Sequence, residues 1–534
     1  MRSFELSPLL GEELPDPKSS PGPVAVNTRG RRGTPEQSFL PGNGSGGNKH
    51  LRPGPAWPPA ASCRLVSGAF LGRSSLQACH PLRGPLILQT CPPMTGEAGL
   101  HTMDTWTRRS FLRKAGAATA TTTLIAPHPS SARGANERVN LAVIGCGGRG
   151  VQLGRLCNQH PHGQVTYVCD PDLRRAERAK ASLQAGHAVS DLRHILDDPS
   201  VDAILIASCD HWHAPASLLA CEAGKHVYVE KPCSHNVQEG RLMIEAAHRN
   251  KIVMQHGTQK RSSQGMQEFI ALLEGGIIGT VLVAKHVNSQ KRANIGRHKP
   301  SKPPAHVDYD LWVGPAEWRD YQANYVHYNW HWFYNFGTGD IGNDGVHGID
   351  VARWGLGVTT HPSFISGYGS KLYFDDDQEF PDTCNLTFEY PGNGKTGQKR
   401  VLIYEQRIWS PYGHDPERNS TFFYGTKGMA TLGRDGARIY SPNNELVREL
   451  KVEDGNGRHQ HNFLDAIRDR SVKLNCDIET GHLSSSLPHL GNICARTGRA
   501  LHFDSTKEKI LGDEQASSLL GRQYRRNHWA TPGA

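Results

Sequence analysis

From Val139 onward, short apolar runs alternate with longer stretches whose apolar positions recur at helical spacing. The runs "VNLAVIG", "QVTYVCD", "VDAILIAS", "KHVYVE" and "KIVMQHG" predict five strands. The stretches around "RGVQLGRLCNQ", "DLRRAERAKASLQ", "APASLLACEAG" and "VQEGRLMIEAAHRN" predict helices between them. Continuous apolar strands separated by amphipathic helices belong to a parallel sheet covered on both faces. After residue 260 the rhythm changes. A helix in "SQGMQEFIALLEGGIIG" and a strand "TVLVAKHVN" lead to strand-like pieces with Gly-rich turns: "CNLTFEY", "RVLIYEQR" and "TFFYGTKGMATLG". These predict a large, mostly antiparallel open sheet. Helices around "HNFLDAIRDR" and "SSLPHLGNICARTGRAL" are expected to close the chain. The expected fold class is α/β: a doubly wound Rossmann sheet over residues 136–259, then an α+β domain over 260–534.

The first 135 residues carry neither period. Residues 1–102 hold nearly half of the 34 prolines, with patches such as "PGNGSGGNKH". Such a segment cannot bury enough surface to offset its ordering entropy. It is expected to be a disordered extension or one that is not translated, with the true start at Met103. Behind Met103 come the pair Arg108 and Arg109, a mildly apolar run "AGAATATTTLIAP" and the small residues "SSARGA". Basic region, short apolar region and small-residue exit are the three parts of an export signal, here of twin-arginine type. Residues 103–135 are therefore expected to engage the twin-arginine machinery and to direct the protein to the periplasm or beyond. The apolar run is too short to remain as a stable membrane anchor.

Charge and cysteine content change this picture little. The net charge of +9 falls partly on the leading segment, and no basic block in the remainder suggests nucleic acid. None of the 12 cysteines forms a C-x-x-C pair, so free buried thiols are expected rather than a disulfide framework.

The turn after the first strand carries Gly145, Gly147 and Gly150, with Gly148 and Arg149 between them. This is G-x-G-x-x-G between a strand and a helix, the setting in which backbone can approach a pyrophosphate at a helix N-terminus. Asp170 ends the second strand, where a carboxylate accepts hydrogen bonds from a ribose diol and repels a 2′-phosphate. NAD is the expected cofactor. Arg174 and Arg175 follow closely and keep NADP open.

"EAGKHVYVEKP" resembles the glucose–fructose oxidoreductase / inositol dehydrogenase / rhizopine-catabolism family, and the similarity runs in order over residues 136–505. The resemblance implies that Glu230 and Lys231 lie beside the nicotinamide. Lys231 would contact the substrate hydroxyl, and Pro232 would fix the turn, often as a cis bond. In "IASCDHWHAP", Ser208, Asp210 and His213 occupy positions implied to lie near the nicotinamide ribose, with Trp212 as an additional aromatic. Gln259 in "HGTQKR" takes the place of an Asn near the nicotinamide. The family also carries an Asp and a His four residues apart as its substrate-side pair. Here His347 matches the His, Asn343 stands at the Asp position, and Asp344 is one residue off, about 100° around a regular helix. Lys231, Asn343 and His347 are thus the candidate catalytic residues. The second-domain sheet is implied to make subunit contacts, hence a homo-oligomer.

Aromatic residues crowd "YQANYVHYNWHWFYNFG", and Arg292 lies upstream. Tyr325, Trp330, Arg292, Asp344 and His347 are the candidate substrate contacts. Flat faces suit sugar C–H surfaces and polar tips suit hydroxyls; packing between domains is an equal use of the same rings. No tight His/Cys spacing predicts a metal. The expected activity is NAD(P)-dependent hydride transfer on a sugar or polyol, with a cofactor carried through export and recycled within each cycle. A glycosidase or lyase using transient oxidation, and a non-catalytic sugar-binding protein, remain as alternatives.

Overall fold

The computed structural model describes residues 138–412 and 419–532; residues 103–135, where an export signal is expected, and everything before them lie outside the described residues. Six strands form the first sheet: β1 (Val139–Ile144), β2 (Gly163–Cys169), β3 (His187–Val189), β4 (Ala203–Ile206), β5 (His226–Val229) and β6 (Met254–His256). They are parallel, in the order β3-β2-β1-β4-β5-β6. Successive residues point to opposite faces, and both faces are buried. Leu141, Val143, Leu205 and Tyr228 enter one core, while Ala142, Ile144, Ile204 and Val229 enter the other. The five predicted strands are all present. β3 was not foreseen, because three partly exposed residues make no apolar run.

The second sheet has ten strands: β7 (Val281–Ser289), β8 (Phe364–Ser370), β9 (Thr383–Tyr390), β10 (Arg400–Arg407), β11 (Asn419–Gly425), β12 (Gly428–Leu432), β13 (Ala437–Tyr440), β14 (Leu446–Leu450), β15 (Leu501–Asp504) and β16 (Lys509–Leu511). It is antiparallel except where β7 and β10 run side by side in parallel. Phe269, Ile349 and Leu487 from three helices join Phe388, Tyr404 and Phe423 of this sheet in one core. The two expected helices are present as Arg458–Arg468 and Ile478–Thr497, but two strands and a short helix, Glu514–Ser518, follow them. β15 and β16 follow the helix Ile478–Thr497, and their few residues are too short to show a period. The final segment then returns to the first domain, where Trp529 and Ala530 pack into the core of the parallel sheet.

Between β7 and the helix Val346–Gly355 the chain is largely irregular, with an aromatic core of its own around Tyr309, Trp312, Tyr325, Trp332 and Phe336. It is tied to the first domain by backbone. Asp308 N–H donates to Pro171 O (2.9 Å) and His211 N–H to Phe336 O (3.2 Å). The Trp212 indole N–H donates to Leu311 O (3.1 Å). The cysteines of the described residues are all free, and all but the half-buried Cys209 are buried. Among the described residues no helix is long and apolar enough to cross a membrane.

Candidate active site

A cavity of about 460 Å³ opens along the carboxyl ends of the parallel strands. The glycine turn forms its floor. Gly145 has φ +90°, and a Cβ there would stand 2.4 Å from Ala207 O. A Cβ on Gly150 would stand 1.9 Å from Gly145 O, so only glycine lets the helix Gly148–Asn158 pack this closely on the turn. At Gly148 the situation is reversed: a Cβ would meet nothing within 4 Å. Backbone at a helix N-terminus therefore borders open space, and that space fits a pyrophosphate.

Asp170 lines the cavity, buried at the end of β2. Its two oxygens accept the N–H groups of Cys146 (2.8 Å) and Asp172 (2.9 Å). Burial pushes this carboxyl up, an effect only partly offset by Arg175 and the two N–H groups. Arg175 also lines the cavity; Arg174 does not. Consecutive helical residues point about 100° apart, and the mostly exposed Arg174 turns to His306 instead. Arg174 is thus not a cofactor contact in this arrangement.

Ser208, Asp210 and His213 line the far side of the crossover between β1 and β4. Asp210 accepts a hydrogen bond from the Thr338 hydroxyl (2.6 Å). The His213 ring spans Pro232 O (2.6 Å) and Ser208 O (3.1 Å), which fixes the loop that carries Lys231. The Lys231–Pro232 peptide is cis.

Glu230 and Lys231 follow β5 directly. Burial alone would raise the Glu230 carboxyl, but Arg149 at 2.7 Å and the neighbouring Lys231 outweigh it and hold it below its usual value. Lys231 Nζ donates to Asn343 O (2.7 Å) and to Asn343 Oδ1 (3.1 Å). Residues Ile341–Gly345 form a π-helical turn, and Val346–Gly355 continues as α-helix. The π turn breaks the regular spacing assumed from the sequence and brings the Asn343 carbonyl, as well as its amide, to Lys231. Behind them Asp340 is buried and accepts from Asn288 Nδ2 (2.9 Å) and Arg292 Nη2 (2.7 Å). Arg292 also pairs with Asp344, which accepts from Gln290 Nε2 at 2.8 Å. Arg292 and Asp344 therefore support the Lys231–Asn343 pair from behind rather than forming the cavity wall.

His347 and Gln259 also lie outside the cavity lining. His347 is half-buried next to this cluster. Burial first, then the charges of Lys231, Lys260 and Arg149, hold its imidazole well below its usual pKa, so it is neutral at neutral pH. Gln259 starts a short 3₁₀ turn, and its Oε1 is buried without a hydrogen-bond partner.

Trp330 does line the cavity, stacked on His331 with ring centroids 3.6 Å apart. The structure corrects the reading of Tyr325. Its ring is inside the aromatic core, against Phe333 at 4.6 Å and Phe336 at 5.2 Å, because the surrounding loop needs a core of its own. Sequence reasoning missed His331, which lines the cavity. Its Nδ1 faces Tyr328 O at 2.6 Å, and burial pushes its pKa down to about 3. The neutral ring thus carries its proton on Nδ1 and leaves Nε2 as an acceptor. Also missed were Leu192, Trp312 and Trp529, drawn to the cavity from three distant segments. Among the described residues His361, His482 and Glu508 group with metal-ligand spacing, but none lines the cavity, and Arg241 already shares the Glu508 carboxylate.

A parallel sheet in this order, a glycine cradle at β1 and a lysine at the carboxyl end of β5 define a nicotinamide-dinucleotide-dependent oxidoreductase. Residues 139–258 match the oxidoreductase family with an NAD-binding Rossmann fold (GFO_IDH_MocA), and residues 281–531 match its C-terminal alpha/beta domain. The chain belongs to this Gfo/Idh/MocA family. It is 30% identical over 284 residues to inositol 2-dehydrogenase 2 of Saccharopolyspora erythraea, covering 52% of this chain and 69% of that protein. It is 26% identical to myo-inositol 2-dehydrogenase of Thermotoga maritima, over 62% of this chain and 84% of that one. Among solved structures the fold matches levoglucosan dehydrogenase in complex with NADH (TM-score 0.53, 18% identity, 68% of this chain and 98% of that chain). It also matches the WlbA dehydrogenase of Bordetella pertussis in complex with NADH and UDP-GlcNAcA (TM-score 0.52, 18% identity, 69% and 99%).

Proposed function

We propose that this protein oxidises a secondary hydroxyl of a sugar or polyol at the Lys231 end of the cavity. The observation that carries the reading is the seating of Lys231. Two of its N–H groups are spent on Asn343 O and Oδ1, which leaves the third for a substrate oxygen. NAD, when bound, supplies the hydride acceptor. Lys231 orients the reacting hydroxyl, and the neutral His347 behind it takes the proton. His331 Nε2 accepts a hydrogen bond from a neighbouring hydroxyl, and the Trp330 face covers sugar C–H groups. Relatives named as inositol and levoglucosan dehydrogenases support this substrate class.

The same proposal includes export and cofactor retention. Arg108 and Arg109 head a twin-arginine signal, and that route carries folded proteins. An exported oxidoreductase cut off from fresh NAD works only if it keeps its cofactor and returns the hydride within each cycle. It would do so by reducing a second sugar, or by reducing the first again after a bond is cleaved. The test is to isolate the mature protein, denature it and assay for released dinucleotide. A sugar and polyol panel with product analysis follows. Bound NAD and a redox-neutral product pair are expected. Cofactor-free protein that consumes added NAD one for one defeats retention. Absence of any spectral change with every sugar and polyol defeats the substrate class.

A further inference from the structure

The crossover between β1 and β4 divides the cavity into two halves. On one side lie Ser208 and Lys231; on the other lie Asp170, Arg175 and the residues after β3, Ser190 to Leu192. A dinucleotide with its nicotinamide at Lys231 has its adenine at the β3 end. That end is not left open to solvent. A segment late in the chain, after the second domain's sheet, returns there, and Trp529 forms part of the wall.

We infer that residues 521–532 are a clasp that holds the adenine end of the dinucleotide, with Trp529 as its closing wall. This rests on the retained-cofactor reading above. Trp529 is positioned by its surroundings. The Arg193 guanidinium lies 4.6 Å over its ring, the Trp212 ring is 5.9 Å away, and Ala530 beside it is buried in the first domain's core. Arg193 is itself held by Asp191, which accepts from its Nε at 2.8 Å and from its backbone N–H at 2.9 Å. The wall is therefore a built stack on the residues that follow β3. A flat indole there offers an adenine an aromatic face.

The root of the clasp is anchored independently of Trp529. Arg522 Nε pairs with the fully buried Glu239 at 2.8 Å, and Arg522 Nη2 donates to His211 O at 2.7 Å. The Tyr524 hydroxyl donates to the same Glu239 at 2.7 Å, and Arg525 N–H donates to Pro315 O at 2.9 Å. With the root held this strongly, release falls to the tip, where Trp529 and the buried Ala530 must give way while the root stays. Cofactor release then requires Trp529 to leave its stack.

The test measures release, not turnover. Full-length protein is loaded with NADH and chased with excess NAD, and the fluorescence decay gives the dissociation rate. Trp529→Ala, and a chain ended after Asn527, are each expected to release NADH about tenfold faster or more, since affinity changes reside mostly in the off-rate. Trp529→Phe is expected to stay near wild type. Arg193→Ala, which leaves the tail intact, is expected to accelerate release to a smaller degree and covers the case in which the larger changes prevent folding. Release within twofold of wild type in Trp529→Ala and in Arg193→Ala overturns the clasp. Wild-type release within a single turnover overturns retention instead. The ratio of variant to wild type judges the clasp in either case.

Discussion

The two walls of the cavity are made of different material. The wall on the parallel sheet is mostly backbone: the Gly145–Gly150 turn, a helix N-terminus, and a carboxylate satisfied by two backbone N–H groups. The facing wall is side chains: Trp312, His331 and Trp330 on an irregular loop, and Trp529 on the tail. A backbone wall binds what all dinucleotides share, their pyrophosphate and ribose. A side-chain wall can vary with the substrate while the first wall stays as it is.

This difference also decides what could be read from the sequence. A backbone-built site constrains neighbouring residues, since a Cβ at Gly150 would strike Gly145 O, and so it leaves a compact motif. Asp170 ends a strand and was equally legible, while Glu230 and Lys231 were read from the resemblance carried by "EAGKHVYVEKP". The second wall gathers residues from positions more than two hundred apart in the chain, and no local spacing records that. Tyr325 and Trp330 come from the same aromatic stretch, yet one is core and the other wall. The π turn at Ile341–Gly345 has no period to announce it, so the sequence showed Asn343 only as a replacement for the family's Asp and not that its carbonyl and amide both hold Lys231.

The largest effect is expected from breaking the backbone wall. Gly150→Ala places a Cβ 1.9 Å from Gly145 O, backbone that cannot yield without opening the turn. Overpacking of this kind costs about 1–3 kcal/mol or more. Loss of NAD binding in fluorescence titration should accompany it. Gly148→Ala, with open space around its Cβ, should melt like wild type while still weakening NAD. Equal behaviour of the two variants would mean the turn does not cradle the cofactor.

Breaking the junction of the walls comes next. Lys231→Ala and His347→Ala should each lower kcat by about 10²–10⁴-fold, the range for losing a positioned group in acid–base catalysis, with NADH binding little changed. Normal turnover in either variant would remove that residue from the mechanism.

The buried histidines separate the walls less but bear on the whole molecule. Burial pushes His211, His256, His286, His331 and His489 down to about 3. An unfolded histidine takes its proton near 6.5, whereas these folded ones do not. As pH falls below about 6.5, the unfolded state binds more protons and stability drops. Each such group contributes a slope of up to about 1.4 kcal/mol per pH unit between its unfolded and folded pKa. Urea midpoints should therefore fall steeply from pH 7 to pH 5. A flat profile would show that these rings are not buried as neutral groups.

The smallest effect tests whether the backbone wall also selects the cofactor. Each Asp170 oxygen accepts one backbone N–H and keeps a further acceptor position for a ribose hydroxyl. A 2′-phosphate would bring its charge against this carboxylate, while Arg175 nearby would welcome it. With the carboxylate ionised, NAD should bind more tightly than NADP. Asp170→Ser removes the repulsion, and the ratio of the two dissociation constants should shrink about tenfold, roughly 1.4 kcal/mol. Titration of both cofactors measures it. The elevated pKa of Asp170 adds a signature that a merely structural change would lack. Because burial raises it, the carboxyl gains its proton at a higher pH than an ordinary Asp, and the preference for NAD should fade there in wild type. In Asp170→Ser, with no carboxyl to titrate, the weaker preference should be independent of pH over the same range. Wild type that prefers NADP, or a pH dependence that survives the substitution, would take the choice of cofactor away from Asp170 and give it to Arg175.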